Sequence, residues 1–208
     1  MKKEYYENYI ENIYLGLLNS QFFIENKLIS PSQFFKNIKR LIVKLRENNN
    51  NIFFFGNGAS AAFANHMALD FSKNGKILSR SLSDSAFLTA LSNDYNFEMS
   101  MVEYLKIEGV TKNDLVVTIS SSGNSQNIVN VLDYCSSKKI NTLALSGLKN
   151  DNNSIRSAKN SIYVPMKTYG MVECIHQIFL HSILDESMEI FEWDRDDFQD
   201  MNINNFNL

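Results

Sequence analysis

The stretch 52-IFFFGNGASAAFANHMALDF-71 decides the fold that we expect for this chain. A short apolar run ends at Gly56, a glycine-rich turn follows, and residues 59–73 continue with the spacing of a helix. This strand–turn–helix pattern is typical of α/β proteins, in which ligands bind at the carboxyl ends of strands beside helix N-termini. The turn is also close to the Gly-x-Gly-x-x-Gly/Ala fingerprint of dinucleotide-binding proteins, so its ligand is the first question.

Four more short apolar runs follow this one and alternate with helical patterns. The runs cover 77–82, 115–120, 140–146 and 161–165, and the helical patterns lie near 59–73, 85–106, 125–138 and 171–190. Short runs that are apolar on both faces and separated by helices favour a parallel sheet covered by helices. Two further helices are predicted before the first strand, over 4–26 and 31–47, the second starting at Ser30-Pro31.

The composition describes an ordinary globular protein. With 208 residues, of which 44% are hydrophobic and 21% charged, the chain suits one domain with helical additions. A net charge of −3 without clustered lysine or arginine gives no basic surface for nucleic acid. No apolar run approaches the roughly 20 residues that span a bilayer, and no signal peptide is recognisable, so we expect no membrane association and a cytoplasmic location.

A second turn, 120-SSSGNS-125, has the chemistry of an anion site. It follows the apolar run 115–119 and precedes a helical pattern that begins at Gln126. Serine hydroxyls and backbone N–H groups at a helix start bind anions, and a glycine lets the backbone approach a phosphate closely. Serine and asparagine also cap helices, but four serines and a glycine in six positions exceed what capping requires. The pattern therefore favours phosphate binding.

The dinucleotide hypothesis for the glycine-rich turn lacks its second part. An acidic residue that binds the ribose should end the next strand about 20 residues later. Asp84 comes later than that and lies within a serine-rich segment. We therefore expect no nucleotide cofactor.

Four segments together resemble a known family. They are 56-GNGAS-60, 92-SNDYNFE-98, 117-VTISSSGNSQN-127 and a late helix with two histidines, and in this order they are similar to a sugar isomerase (SIS) domain. Within that class the chain resembles the phosphoheptose isomerases, which convert sedoheptulose 7-phosphate into a heptose 7-phosphate. The resemblance implies a flavodoxin-like three-layer α/β fold with a five-stranded parallel sheet, and an N-terminal helical pair that assembles a homotetramer. It divides the chain into N-terminal helices over 1–48, the SIS domain over 49–190 and an acidic tail over 191–208.

The resemblance also implies a binding site for a small sugar phosphate. The family has an Asn-Asp pair, and it has a glutamine where this chain has a glutamate on the last helix. The positions that match the family's substrate site are Asn57, Gly58, Ala59, Ser60, Asn93, Asp94, Ser120, Ser121, Ser122, Ser125 and Glu173.

Two helices carry groups suited to acid–base chemistry. Aldose–ketose isomerisation moves a proton between adjacent carbons through a cis-enediol and needs a base and an acid. His66 and Asp70 are four residues apart, hence on one helix face, and His181 lies eight residues after Glu173. By resemblance Asp70 and His181 are the catalytic pair. The family has a glutamate where Asp70 stands, so this carboxylate is one methylene shorter.

The same groups form a candidate metal site. Histidine nitrogens and carboxylate oxygens bind zinc in tetrahedral sets, and some relatives are metal-dependent at matching positions. The candidate zinc ligands are His66, Asp70, Glu173 and His181.

Two other functions stay open on the sequence alone. SIS domains also serve as non-catalytic phosphosugar sensors or as binding partners of other proteins. Such a protein would not need acidic and imidazole groups together at 66, 70, 173 and 181. Isomerisation of a different sugar phosphate is the other possibility, because the residues that contact the far hydroxyls of the sugar are not identified.

Overall fold

The computed structural model describes residues 4–194. Helix α1 (Tyr5–Leu18), a hairpin of strands β1 (Gln21–Ile24) and β2 (Lys27–Ile29), and helix α2 (Pro31–Glu47) come first. The elements that follow are β3 (Ile52–Gly56), α3 (Ala59–Lys73), β4 (Ser79–Ser81), α4 (Ser85–Asp94), α5 (Phe97–Ile107), β5 (Leu115–Ser120), α6 (Gln126–Ser137), β6 (Asn141–Gly147), α7 (Asn153–Ser157), β7 (Asn160–Val164) and α8 (Tyr169–Met188). A 3₁₀ turn, Glu192–Asp194, comes last, so most of the predicted acidic tail over 191–208 lies outside the described residues.

The sheet has seven strands in the order β2-β1-β7-β6-β5-β3-β4. The five strands from β3 to β7 pair in parallel, close to the five positions that the sequence predicts. Strand β1 pairs antiparallel with both β2 and β7. The prediction of an α/β fold is therefore confirmed, whereas the prediction of a purely parallel, five-stranded sheet is wrong.

The two additional strands arise within the segment where the sequence predicts one helix over 4–26. Helix α1 ends at Leu18, and Phe23, whose spacing fits a helical stripe, lies in β1. Glu25 and Asn26 have φ values of 49° and 61°, the left-handed conformation that a two-residue hairpin turn requires. This turn lacks the glycine that usually marks such hairpins, so the helical spacing of the apolar residues was misleading.

The segment predicted as one helix over 85–106 forms two helices. Helix α4 ends at Asp94, and α5 begins at Phe97 after Asn96, which has φ 135°. The Asn96 side chain accepts a hydrogen bond from the Met99 N–H at 2.8 Å and so caps α5.

Strand β3 shows how the sheet separates two hydrophobic cores. All five of its residues are buried, and successive side chains point to opposite faces of the sheet. Ile52 and Phe54 join the core that α2, α3 and α8 cover, whereas Phe53 and Phe55 join the core beneath α5 and α6. The result is a three-layer arrangement, which agrees with strands that are apolar on both faces.

The strand register brings two polar turns together. Gly56 at the end of β3 pairs with Ile119 of β5, and Ser120 at the end of β5 pairs with Ser146 of β6. Below, the glycine turn means residues 56–60 and the serine loop means residues 120–125. Both leave neighbouring parallel strands at the carboxyl edge of the sheet, where ligands of α/β proteins bind.

Helix α8 is the longest described helix, with 20 residues, and it carries His176, His181 and several acidic side chains. No helix within residues 4–194 is long and apolar enough to cross a lipid bilayer.

Candidate active site

The glycine turn connects β3 to α3, and its first residue, Gly56, has no room for a side chain. A β-carbon added at Gly56 would lie 2.5 Å from the backbone of Ser60. Gly58 immediately precedes α3 and has φ +56°, a left-handed conformation that glycine adopts without strain. The turn therefore brings the N-terminus of α3, with its partial positive charge, to the end of β3.

The serine loop places hydroxyl groups at the N-terminus of α6. Ser125 immediately precedes this helix, but its side chain makes no capping hydrogen bond. The Ser121 hydroxyl oxygen is buried and has no hydrogen-bond partner among residues 4–194. The Ser122 hydroxyl accepts a hydrogen bond from the Asn124 N–H at 3.3 Å. Hydroxyls that remain unpaired at a helix N-terminus are suited to binding a phosphate group.

Helix α7, which the sequence analysis did not predict, holds the serine loop in place. Ser154 donates two hydrogen bonds to the Gly123 carbonyl, from its backbone N–H and from its hydroxyl, both at 2.9 Å. The backbone N–H of Asn153 donates to the Asn124 side chain at 2.9 Å. Gly123 has φ +64°, and a β-carbon there would lie 2.2 Å from the Asn152 side chain. The loop and α7 therefore fit together only with glycine at residue 123.

Asp70 lies between the two histidines that the sequence analysis selected. Its Oδ2 is 2.9 Å from Nε2 of His66 and 4.0 Å from Nδ1 of His181. The two imidazole rings are nearly perpendicular, with centroids 5.3 Å apart. The exposed fractions of the side chains are 53% for His66, 20% for Asp70 and 42% for His181. The structure thus brings the predicted acid–base pair and His66 into one group, which we call the histidine group and which a substrate can reach.

Phe63 connects the histidine group to the predicted substrate residues. Its ring centroid is 5.8 Å from that of His66 and 6.0 Å from that of His181. Phe63 also lines a cavity of about 20 Å³, whose other lining residues are Ala59, Ser60, Ile119, Glu173, His176 and Gln177. A cavity of this volume has room for about one water molecule. Glu173 therefore lies beside the glycine turn.

Three of the four predicted metal ligands are close together. The ligand atoms of His66, Asp70 and His181 lie within 4.8 Å of one another. In a tetrahedral zinc site with bonds of about 2.0–2.1 Å, ligand atoms are about 3.3 Å apart, which lies between the two distances measured from Asp70. Glu173 is not among the described residues whose ligand atoms lie within this distance, so its role as a fourth ligand stays a prediction. The three remaining donors fit a zinc ion with open coordination positions.

The predicted Asn93–Asp94 pair lies on helix α4. The two residues end α4, which packs against α5, and both are exposed. The Asn93 amide donates to the Asp94 carboxylate at 3.0 Å. Within residues 4–194 we find no hydrogen bond or ion pair from either residue to the histidine group, so their role in substrate binding stays a prediction.

Asp185 is a carboxylate near the histidine group that the sequence analysis missed. It follows His181 by four residues on α8, so the two side chains share a helix face. Partial burial raises the pKa of Asp185, His181 opposes this shift, and Glu192 and Asp70 add to it. His181 therefore interacts with two carboxylates, and the four-residue spacing in the sequence was the signal for the second one.

His176 is fully buried and also lines the small cavity. Its Nε2–H donates to the Ser146 carbonyl at 3.2 Å, and its Nδ1 has no partner in the described part of the chain. Burial lowers the pKa of His176 to about 4, although the Ser146 carbonyl favours the protonated ring. The imidazole is therefore neutral at pH 7, with Nδ1 as an acceptor that a donor in the cavity can satisfy.

Comparison with known proteins shows which family this chain belongs to. Residues 31–147, more than half of the chain, match the SIS domain family. The chain therefore belongs to the SIS domain family.

Within that family, three similar proteins are phosphoheptose isomerases. Phosphoheptose isomerase 2 from Campylobacter jejuni is 36% identical over 118 residues, which are 54% of this chain and 58% of that protein. Phosphoheptose isomerase from Helicobacter pylori is 29% identical over 182 residues, covering 82% of this chain and 93% of that protein. The phosphoheptose isomerase structure from Neisseria gonorrhoeae has a TM-score of 0.66 and 26% identity, over 74% of this chain and 84% of that chain. The resemblance noted in the sequence is confirmed.

Substitution of His176 by glutamine should change how stability depends on pH. The folded-state pKa of His176 is about 4, below the unfolded value of about 6.5, so the unfolded chain binds the proton more strongly. Well above pH 6.5 the proton equilibrium of His176 does not change the free energy of unfolding. As the pH falls from about 7 towards 4, it lowers the free energy of unfolding by on the order of 3 kcal/mol. Glutamine keeps a donor for Ser146 and does not titrate, so His176→Gln should lose less stability over this range in urea unfolding experiments.

The same unfolding curves contain their own control. Above about pH 7.5 the two proteins should respond to pH equally, because the ring is almost entirely neutral in both the folded and the unfolded state there. Equal slopes below pH 6.5 would contradict a buried neutral imidazole at residue 176.

Proposed function

We propose that this chain is a phosphosugar isomerase that converts sedoheptulose 7-phosphate, or a closely related ketose phosphate, into the corresponding aldose phosphate. The observation that carries the proposal is the convergence of His66, Asp70 and His181 beside the glycine turn, through Phe63. Membership of the SIS family and the likeness to phosphoheptose isomerases support the same class of reaction.

The serine loop holds the phosphate group in this proposal. Ser121 offers a buried hydroxyl without a partner in the described residues, and Ser125 offers a hydroxyl that does not cap its helix. The N-terminus of α6 adds a favourable interaction with a phosphate dianion. Hydrogen bonds from α7 keep the loop in shape before the substrate binds, which limits the entropy that binding must overcome.

The histidine group performs the proton transfers. Conversion of a 2-ketose into an aldose removes a proton from C1, forms a cis-enediol and returns a proton to C2, while a second proton passes from O1 to O2. The Asp70 carboxylate takes and returns the carbon proton. His181, whose Nδ1 lies 4.0 Å from Asp70 Oδ2, exchanges the oxygen proton. His66 contacts the same carboxylate oxygen at 2.9 Å and fixes its direction.

Aspartate at residue 70 sets a geometric requirement for this chemistry. The carboxylate is shorter by one methylene than the glutamate of the family, so the reacting carbons must approach α3 more closely. A displacement of about 1 Å from the productive geometry costs on the order of a hundredfold in rate. The hydrogen-bonding distance to His66 supports a defined orientation for the shorter side chain.

A protein that only binds phosphosugars would not need the acid–base groups of the histidine group. Partly exposed imidazole and carboxylate groups within 4.8 Å of one another are the arrangement that proton transfer needs. This proximity favours the isomerase over a non-catalytic sensor.

Removal of either proton-transfer group should abolish most of the activity. Asp70→Asn and His181→Gln should each lower the rate of aldose formation from sedoheptulose 7-phosphate by on the order of a hundredfold or more, because each variant lacks one acid or base. Asp133→Asn is the matched control, since it removes an exposed carboxylate from α6, and its rate should stay within about twofold of wild type.

Equal rates in all four proteins would contradict the assignment of Asp70 and His181. A wild-type protein that binds the sugar phosphate without turnover would instead favour a phosphosugar-binding protein.

We further propose that His66, Asp70 and His181 hold a divalent cation, with zinc as the best match to two imidazoles and one carboxylate. When bound, such an ion polarises oxygen atoms of the sugar. With such an ion, Asp70 would offer Oδ2 and keep Oδ1 for the carbon proton, and His181 would offer Nδ1 and keep Nε2 for the oxygen proton. Glu173 contributes to the substrate site instead, because it lies with Ala59 and Ser60 around the small cavity.

Metal content should follow the three ligands and not Glu173. Protein purified without chelator should contain about one zinc ion per chain, and His66→Gln should lose most of it, because a two-donor site binds zinc weakly. Glu173→Gln is the matched control and should retain the zinc. Elemental analysis measures all three proteins without reference to activity. Wild type without zinc, and without restoration of activity by added metal, would overturn the metal proposal.

A homotetramer is the assembly that we propose, and an apolar stripe on α1 supports association between chains. Tyr6, Ile10, Tyr14 and Leu18 recur every fourth residue and so lie on one helix face. All four are exposed, Tyr6 by 72% and Tyr14 by 59%. A soluble helix buries such a stripe against another surface, and the same stripe on a second copy is of matching character.

A charge in the middle of the stripe should break the assembly. Ile10→Glu should shift the sedimenting species from tetramer to smaller forms, because association would bury an unpaired carboxylate. Asn12→Glu, an exposed position on another face of α1, should leave the mass unchanged. The same mass for wild type and Ile10→Glu would exclude this face from the interface.

A further inference from the structure

The side chains of Asn57 and Asn127 form a reciprocal pair of hydrogen bonds. The amide nitrogen of Asn57 donates to Oδ1 of Asn127 at 2.9 Å, and the amide nitrogen of Asn127 donates to Oδ1 of Asn57 at 2.8 Å. The two residues are 70 positions apart in the chain. We call this arrangement the amide pair. It joins the glycine turn to the first turn of α6.

Asn127 is held firmly on its own side of the pair. Its side chain is only 2% exposed, and its Oδ1 also accepts a hydrogen bond from the Ile128 N–H at 3.0 Å. A buried amide in two hydrogen bonds to the same partner has little freedom to rotate, because any rotation leaves polar atoms unpaired away from water. The position of Asn57 is therefore set by α6.

The amide pair lies where the backbone no longer fixes the spacing of the two turns. The ladder between β3 and β5 ends with Gly56 opposite Ile119, and no backbone pairing of these strands continues beyond that point. Beyond the ladder, the turn enters α3 and the loop enters α6. A cross-link by side chains at this point sets the distance between the N-termini of the two helices.

We propose that Asn127 is a positioning residue that sets the span between the glycine turn and the serine loop, and that Asn57 serves this pair rather than binding the sugar through its side chain. The proposal rests on the isomerase function proposed above. A sugar phosphate held by the serine loop must place its reacting carbons at the histidine group, on α3 and α8. The amide pair fixes the separation of the phosphate end from α3, so it favours ligands of a matching length.

A positioning role and a purely structural role predict different effects on the binding of two ligands, inorganic phosphate and the sugar phosphate. Inorganic phosphate needs the serine loop alone, whereas a sugar phosphate needs the loop and the glycine turn at the correct distance. Loss of the amide pair should therefore weaken the sugar phosphate and leave phosphate binding unchanged. General loss of structure would weaken both ligands together.

The test measures dissociation constants for sedoheptulose 7-phosphate and for inorganic phosphate by calorimetry, together with KM and kcat. Asn127→Ala should raise the dissociation constant and the KM of the sugar phosphate about fivefold or more. The dissociation constant of inorganic phosphate should stay within about twofold, and kcat should change less than KM. Asn127→Asp has nearly the same shape but loses the donor to Asn57 and adds a negative charge beside the phosphate site, so it should weaken binding of the sugar phosphate and, unlike Asn127→Ala, binding of inorganic phosphate as well. Asn130→Asp is the control for the added charge, because it lies one turn later on α6 and loses a hydrogen bond to the Glu98 carbonyl but none to the amide pair.

A double-mutant cycle tests whether the two residues act together. If they do, Asn57→Ala with Asn127→Ala should weaken the sugar phosphate about as much as either single change, because the first change already removes the pair. Additive effects, or an unchanged sugar phosphate affinity in Asn127→Ala, would overturn the positioning role while leaving the isomerase function intact. Sugar phosphate binding that depends on the amide pair, without turnover in wild type, would overturn the isomerase function alone.

Discussion

The parallel pairing of β3 with β5 is the interaction on which the site depends. Both strands are buried along their whole length, so their place in the sheet is set by apolar contacts on two faces and not by the polar residues that follow them. Neighbouring strands are about 4.8 Å apart, and each of these two is followed by a short turn or loop and then a helix N-terminus. Two partial positive charges therefore lie side by side at one edge of the sheet, which suits a ligand that carries a phosphate and several hydroxyls.

Helix α8 adds the second half of the site from above this edge. Its residues reach the site along the helix: Glu173 and His176 line the small cavity beside the glycine turn, and His181 with Asp185 lies further along. The buried His176 is neutral and donates to a carbonyl, whereas the partly exposed His181 lies near the carboxylates of Asp70 and Asp185. One residue type thus has two different electrostatic environments within two helical turns, because burial and nearby charge act in opposite directions on an imidazole.

Local patterns made much of the fold and part of the site predictable. The five parallel strands were found because each is a short apolar run between helical patterns, and His66 with Asp70 because four-residue spacing puts both on one helix face. The hairpin was missed because Glu25 and Asn26 give no strong turn signal, and α7 because it has only five residues. Asn127 stood within a quoted motif without a role. Its partner is 70 residues away, and a contact between distant side chains leaves no pattern in a single sequence.

The β1–β2 hairpin has a consequence for how this chain can be divided. It covers the outer side of β7, pairing with it along four residues, so the N-terminal segment is a structural part of the sheet as well as a support for α1. A chain shortened to begin at residue 49 would leave the backbone groups of β7 without partners along that side. Exposed strand edges of this kind accept strands from other molecules. The N-terminal segment, which the sequence predicts as an oligomerisation element, therefore also covers a strand edge that could otherwise pair with strands of other molecules.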